Sequence, residues 1–309
     1  MSRLKVAVVQ LCSGLDVSEN LTEIERQLMA LHPLKAFHPL KAFHPLKAFH
    51  PLKAFHPLKA FHPLKAFHPL KAHQQNNIDI VVLPECFAMV GGSQASLALQ
   101  ADEVMSWMAA IAKEFGCWLI GGVLPVNANS DGRSHAACFV YNPEGEEVAC
   151  YHKMHLFDVN VSDSKGQYRE SDDFIPGDRP ELVDIGPAKI GLSICYDLRF
   201  PELYRYLVNQ GATILTVPSA FTKVTGAAHW EPLLRARAIE NQCYVLAANQ
   251  GGTHPDGRQT WGHSMIISPW GDILAEAPAQ GTAVIVAELN LEELAEVRRK
   301  MPCHNHRRI

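Results

Sequence analysis

The chain has 309 residues, of which 47% are hydrophobic, and this is enough apolar material for a large buried core. The formal charge is −4, and because a repeat described below holds seven lysines and no acidic residue, the remainder carries −11. An acidic body argues against nucleic acid as the main partner, since phosphate binding needs clustered lysine and arginine.

Membrane and secretory classes are also disfavoured by the sequence. No apolar stretch reaches the roughly 20 residues of a membrane span, and the N-terminus shows no signal-peptide pattern. The eight cysteines include no C-x-x-C pair. We therefore predict a reduced, cytoplasmic protein with neither a membrane nor a nucleic acid as partner.

The first predicted elements are a buried strand and an amphipathic helix. The apolar run at 4–10 predicts the strand, and apolar residues at helical spacing predict a helix over 18–31. Ser18 is the candidate N-cap, because a serine hydroxyl can accept a hydrogen bond from a free N–H group of the first turn.

A hexapeptide repeat, HPLKAF, follows this helix. Six full copies and a truncated seventh occupy residues 32–72. The proline in every copy disfavours both a continuous helix and a central strand. The seven histidines of the repeat are not arranged into a rigid ligand set by anything in its sequence. We predict a poorly ordered insertion without a function of its own, in a surface connection where extra residues cost little.

Beyond the repeat, predicted strands alternate with predicted helices. The strands fall at 78–85, 117–125, 135–142, 146–153, 188–197, 212–220, 243–250 and 282–289, with a hairpin around 268–272, and the helices at 99–116, 199–211 and 229–242. This alternation predicts an α/β architecture with a buried sheet. Because no Pro- or Gly-rich linker divides the body, we predict one domain over 1–309 that carries the insertion.

Three of these strands carry a reactive side chain at or near their carboxyl end, namely Glu85, Lys153 and Cys195. Sites in open α/β sheets gather at the carboxyl ends of strands. A carboxylate, an ammonium and a thiol together supply a base, a cation for developing negative charge and a nucleophile. A helix that begins near Asp197 would favour the thiolate of Cys195. Taken singly, each residue has an ordinary alternative as a buried cysteine or a surface charge.

The segments around these residues resemble the nitrilase superfamily of carbon–nitrogen hydrolases, and within it the Nit-type amidases. They read VVLPECF, YHKMHLFDV, GLSICYDLRFPELYR and GAAHWEPLLRARAIENQCYVLAANQ, and the similarity covers essentially the whole chain except the repeat. The resemblance implies the four-layer αββα sandwich of that superfamily. It also implies a homodimer, and an enzyme that needs neither a cofactor nor a metal.

The resemblance further implies the roles of the site residues. Glu85 matches the general base, Lys153 the lysine and Cys195 the nucleophile of a Glu–Lys–Cys triad. Glu170 is the best match for a second glutamate of the active site. The implied reaction is hydrolysis of the C–N bond of a small amide through a thioester on the cysteine, with release of ammonia.

The substrate class is also implied only by resemblance. The stretch from His229 to Gln250 and the ending MPCHNHRR look more like the branch that hydrolyses deaminated glutathione than like the ω-amidase branch. Both branches act on small amides that carry a carboxylate. Candidate substrate-binding residues are Tyr196, Arg199, His229 and Trp230, with ordinary core or helix-capping roles as the alternative.

Two other functions remain open at this point. A cysteine–histidine hydrolase would use His155 or His229 as the base. The other alternative is a catalytically impaired member of the family that acts as a binding or assembly subunit. The insertion favours it, because it precedes the strand that carries Glu85 and could perturb that strand.

Overall fold

The computed structural model describes residues 3–31, 78–126, 132–163 and 165–308. The predicted insertion at 32–72 lies outside these ranges, so its disorder stays a prediction. The paragraphs below concern the described residues.

A first six-stranded sheet is built mostly from the N-terminal half of the chain. Its strands are β1 (Arg3–Gln10), β2 (Ile80–Val82), β3 (Trp118–Val126), β4 (His135–Tyr141), β5 (Glu147–His152) and β16 (Ala283–Asn290). Their order is β16-β1-β2-β3-β4-β5, with β1, β2 and β3 parallel and the remaining neighbours antiparallel. The C-terminal strand thus returns to cover one edge of this sheet.

A second six-stranded sheet repeats the pattern of a parallel centre and antiparallel edges. Its strands are β8 (Leu182–Asp184), β9 (Lys189–Leu192), β10 (Ile214–Thr216), β11 (Tyr244–Ala247), β14 (Met265–Ile267) and β15 (Ile273–Glu276), in the order β15-β14-β11-β10-β9-β8. Two hairpins stand apart from both sheets. They are β6 (Asp158–Asn160) with β7 (Gln167–Arg169), and β12 (Gly251–Thr253) with β13 (Gln259–Trp261).

Helices connect the strands and cover the sheets. They are α1 (Val17–Ala30), α2 (Gln94–Ala98), α3 (Ala101–Phe115), α4 (Pro201–Asn209), α5 (Lys223–Asn241) and α6 (Leu291–Lys300). Short 3₁₀ turns occur at Glu170–Asp172, Cys195–Arg199 and Cys303–His306.

The layers follow from the alternation of side chains along each strand. In β1, Val6 and Val8 are fully buried in a cluster with residues of the second sheet, such as Ile190. Their neighbours Ala7 and Val9 are buried in another cluster with side chains of α1 and α3. Residues of α4 and α5 join the cluster of the second sheet. The order is helices, sheet, sheet, helices, which confirms the predicted αββα fold.

Several predicted boundaries are wrong in detail. The N-cap of α1 is Asp16, whose side chain accepts a hydrogen bond from the Glu19 N–H at 3.0 Å, so Ser18 lies inside the helix rather than at its cap. Strand β9 ends at Leu192, five residues before the predicted end, because the chain turns into the 3₁₀ turn that starts at Cys195. Helix α5 begins at Lys223, six residues earlier than predicted.

Candidate active site

Glu85 lies just beyond β2 and is held from both sheets. One of its carboxylate oxygens accepts a hydrogen bond from Lys153 Nζ at 2.8 Å, and the other accepts from the Ala220 N–H at 2.8 Å. The preceding residue, Pro84, packs against β3 so closely that a Cβ on Gly122 would lie 1.8 Å from the Pro84 carbonyl oxygen. Glu85 is only 6% exposed, so its position is set by these contacts rather than by solvent.

Lys153 directly follows β5 and is completely enclosed. Its Nζ donates to Glu85 at 2.8 Å and to the two carboxylate oxygens of Glu170 at 2.8 and 2.9 Å. Burial by itself lowers the pKa of a lysine, but Glu170, Glu85 and Cys195 together outweigh it and raise the pKa of Lys153 well above its usual value. Lys153 therefore remains a cation inside the protein.

Glu170 opens the 3₁₀ turn that follows β7. Besides Lys153, its carboxylate accepts a hydrogen bond from the Phe157 N–H at 2.6 Å. Burial raises the pKa of Glu170 although the charge of Lys153 opposes the increase. Two carboxylates thus flank one ammonium, which orients the lysine along a single direction.

Cys195 begins its 3₁₀ turn with an unusual backbone. Its φ of +46° lies in the left-handed region, which non-glycine residues rarely adopt, and its N–H donates to the Pro218 carbonyl at 2.9 Å. Burial and then the charge of Glu85 raise the pKa of the thiol well above its usual value, against the effect of Lys153. The helix expected just after Cys195 starts later than predicted, since a 3₁₀ turn over Cys195–Arg199 precedes α4, which begins at Pro201.

Asp197 is a site residue that sequence reasoning noted only as part of a helix start. Its carboxylate is fully buried and accepts four hydrogen bonds, from Tyr151 Oη at 2.8 Å, His155 N at 3.1 Å, His155 Nδ1 at 2.7 Å and Ile194 N at 2.8 Å. These bonds join the segment that carries Lys153 to the turn that carries Cys195. A charged residue two positions after the cysteine, inside an apolar stretch, was the available sequence signal.

Glu85, Lys153, Glu170 and Cys195 line one cavity. Its volume is about 140 Å³, which is room for about five water molecules and thus for a small ligand. Other residues of its wall include Cys86, Phe157, Lys165, Tyr168, Arg169, Tyr196 and Arg258.

The four candidate substrate-binding residues do not all reach this cavity. Tyr196 lines it, whereas Arg199, His229 and Trp230 are absent from the described part of its wall. The Arg199 guanidinium lies over the rings of Tyr196 at 5.7 Å and Phe221 at 5.3 Å, and its Nη1 is 3.3 Å from His229 Nδ1. Trp230 is fully buried and donates its ring N–H to a backbone carbonyl at 2.7 Å. Trp230 is a core residue in this structure, as the alternative reading had it.

The histidines of the alternative hydrolase mechanism lie elsewhere. His155 is bound to Asp197 and stacks on Phe200 with ring centroids 3.7 Å apart, and His229 is exposed on α5. Neither lines the cavity within the part of the chain that the structure describes. In those same ranges, no group of three or more His, Cys, Asp or Glu side chains is placed to hold a metal ion, and no helix is long and apolar enough to cross a membrane.

Comparison with known proteins places this fold and cavity in a family. The model of the carbon–nitrogen hydrolases matches residues 5–299. The chain belongs to the carbon–nitrogen hydrolase family.

Two relatives show which enzymes of this family the chain is similar to. Deaminated glutathione amidase of Yersinia enterocolitica is 35% identical, over 100% of this chain and 94% of that protein. Omega-amidase NIT2-B of Xenopus laevis is 38% identical, over 76% of this chain and 84% of that protein. The predicted enzyme class, an amidase among the carbon–nitrogen hydrolases, is thereby confirmed.

A solved structure supports the same conclusion for the fold. The NitFhit protein of C. elegans superimposes with a TM-score of 0.81 at 33% identity and covers 100% of this chain. The chain spans 66% of the length of NitFhit.

Proposed function

We propose that the protein hydrolyses the C–N bond of a small amide that carries a carboxylate, through a thioester on Cys195, and releases ammonia from a primary amide or an amine from a substituted one. Glu85 acts as the general base and acid, Lys153 as the cation that stabilises negative charge, and Glu170 as the residue that holds Lys153 in place. The observation that carries this proposal is the Lys153 ammonium, fixed within 2.9 Å of both Glu85 and Glu170 in the cavity that Cys195 lines.

In the first half of the reaction, Glu85 takes the thiol proton as Cys195 Sγ attacks the amide carbon. A hydrogen bond between the thiol and Glu85, one cause of the raised pKa of Cys195, provides the route for this proton. The tetrahedral oxyanion is stabilised by the Lys153 ammonium and the Tyr196 N–H. Glu85 then returns the proton to the nitrogen, the C–N bond breaks, and ammonia (from a primary amide) or an amine (from a substituted one) leaves while the acyl group stays on sulfur as a thioester.

In the second half, a water molecule takes the place of the ammonia or amine that has left. Glu85 removes a proton from the water molecule, the resulting hydroxide attacks the thioester carbon, and the C–S bond breaks. The proton returns to sulfur, which regenerates the thiol and releases a carboxylic acid. A raised thiol pKa suits this cycle, because the proton that Glu85 takes from Cys195 must be present when the substrate binds.

Deaminated glutathione is the favoured substrate, and dicarboxylic acid monoamides are the second candidates. The relative named deaminated glutathione amidase aligns over the whole chain, and the relative named omega-amidase aligns over 76% of it. The ratio of kcat/KM for deaminated glutathione to that for glutaramate, the monoamide of glutaric acid, separates the two candidates.

We also infer that residues 1–309 act as one domain in a cytoplasmic homodimer. The matched family region spans both sheets, because it runs from β1 into α6. Sedimentation of the purified protein tests the dimer, and a single species with the mass of one chain would refute it.

Hydrolysis of these amides by wild type, Cys195→Ala and Cys86→Ser tests the chemistry, measured as ammonia from glutaramate and as the freed amine from deaminated glutathione. Cys86 is the matched control, because it is the other thiol in the wall of the same cavity. We expect Cys195→Ala to lose turnover while its circular dichroism stays unchanged, and Cys86→Ser to keep activity within about tenfold of wild type. A folded wild type that hydrolyses none of these amides would instead favour the catalytically impaired binding subunit.

A further inference from the structure

Arg258 belongs to the cavity wall but has no part in the proposed chemistry. It lies in the turn between β12 and β13, where the His254 N–H donates to the Arg258 carbonyl at 2.9 Å. The buried ring of His254 is bound on both sides, to the Ser13 carbonyl at 3.0 Å and to Thr260 Oγ1 at 2.8 Å. The turn is thus anchored in the protein and presents Arg258 from a fixed position.

The guanidinium of Arg258 lacks one partner. Its Nη2 pairs with Asp256 at 3.3 Å, and the side chain is 22% exposed. Its Nε is buried and has no acceptor among the described residues. A buried donor without an acceptor is costly, and in native proteins such a group usually has a functional reason.

The other cations of the cavity are differently placed. The Lys153 ammonium already donates three hydrogen bonds, to Glu85 and to both carboxylate oxygens of Glu170. Arg169 is exposed, and its guanidinium donates to the Val159 carbonyl at 3.3 Å and the Tyr168 carbonyl at 2.7 Å. Lys165 is also exposed, with its ammonium 5.0 Å from the centre of the Tyr168 ring. Arg258 is the cation of this wall that is both partly enclosed and short of an acceptor.

The positive charge of Arg258 acts electrostatically on Cys86, which is adjacent to the proposed base Glu85. Burial and the charge of Glu85 raise the pKa of Cys86 to about 12, and Arg258 opposes this increase. Cys86 adjoins Glu85 in the chain, so a ligand that reaches from Cys195 along the cavity enters the field of the guanidinium.

We propose that Arg258 determines specificity by binding the carboxylate of the substrate while the amide carbon lies at Cys195. This inference rests on the proposed amidase function. A planar guanidinium can give a carboxylate two parallel N–H bonds, and Asp256 restrains its orientation. An amide without the carboxylate leaves the buried donor unpaired, so the enzyme discriminates against it.

The test compares glutaramate with pentanamide, which carries a methyl group in place of the carboxylate. The readout is the ratio of the two kcat/KM values in wild type, Arg258→Met, Arg258→Lys and Arg235→Met. Arg235 is the matched control, because it forms a comparable ion pair with Glu231 at 3.2 Å on α5, away from the cavity. We expect Arg258→Met to lower the ratio about 10- to 100-fold, Arg258→Lys to lower it less, and Arg235→Met to leave it as in wild type.

Each other outcome is decisive. If Arg258→Met lowers both kcat/KM values equally, Arg258 has only a structural role and the inference is wrong. If Arg258→Met does not fold, an unchanged ratio in Arg258→Lys refutes the two-bond contact with the carboxylate. If wild type shows no preference for glutaramate, no carboxylate is recognised. If wild type hydrolyses neither amide nor deaminated glutathione, the proposed function itself has failed.

Discussion

At the scale of single residues, the site is an arrangement of buried charges around one thiol. Lys153 is balanced by Glu85 and Glu170, and Glu85 is fixed at its second oxygen by the Ala220 N–H. The negative charge of Glu85 adds to burial in keeping the Cys195 proton in place. Glu85 therefore has two opposite effects, since it disfavours the free thiolate yet accepts the proton during the reaction.

Glu85→Gln separates these two effects. We expect turnover to fall by about 10²- to 10⁴-fold, because no base remains to take the thiol proton. The pKa of Cys195 should fall at the same time, because the charge that raises it is gone while the Lys153 charge that lowers it stays. The rate of alkylation by iodoacetamide as a function of pH measures this, with the exposed Glu292→Gln as control. A pH profile that stays in place, or moves to higher pH, would contradict the assignment.

At the scale of elements, the base is positioned by a close contact between a loop and a neighbouring strand. The loop after β2 can approach β3 because residue 122 is a glycine, and a Cβ there would overlap the Pro84 carbonyl at 1.8 Å. Glu85 is the next residue. The position of the carboxylate thus depends on a residue that takes no part in the chemistry.

Gly122→Ala should therefore impair both folding and activity. We expect the free energy of unfolding to fall by about 1–3 kcal/mol from overpacking, and kcat/KM to fall by about 10²-fold as Glu85 is displaced. Urea denaturation and ammonia release measure the two effects. Gly14→Ala is the matched control, because the nearest atom to its Cβ would be 3.9 Å away. Full activity in Gly122→Ala would show that the close contact does not position the base.

From the sequence, the residues of the site were easier to predict than the local contacts that hold them in place. Periodicity sufficed for an α/β architecture and for placing Glu85, Lys153 and Cys195 near the ends of strands, whereas the sandwich was implied by the family resemblance. The hydrogen bonds of Asp197 and the unpaired donor of Arg258 could not be predicted, because they depend on which distant segments the fold brings together. The sequence left Trp230 open between a cavity wall and the core, because an apolar aromatic gives the same pattern in both, and the structure buries it fully.

At the scale of the whole molecule, the repeat falls in the connection between α1 and β2. Helix α1 ends at Ala30 and β2 begins at Ile80, and both pack in the first half of the sandwich. The position of the insertion in the chain thus leaves the order of strands in both sheets intact.

Deleting residues 32–72 should leave an active enzyme. The deletion shortens the connection between α1 and β2 so that its length is halved about three times. Each halving removes about 0.6 kcal/mol of loop-closure entropy cost, so the free energy of unfolding should rise by about 2 kcal/mol. We expect kcat/KM to stay within about twofold of the full chain, measured by ammonia release. A large gain of activity on deletion would make the repeat an inhibitory lesion, and loss of the fold would make it a structural part of the protein.

The covalent intermediate is tested most directly by mass spectrometry of the enzyme, quenched with acid during its first turnover of glutaramate and then digested. The proposed chemistry predicts that the peptide containing Cys195 gains the mass of the acyl group, in step with the first ammonia released, and that the peptide containing Cys86 does not. Ammonia release without an acyl group on Cys195, or with the acyl group on Cys86, would contradict it.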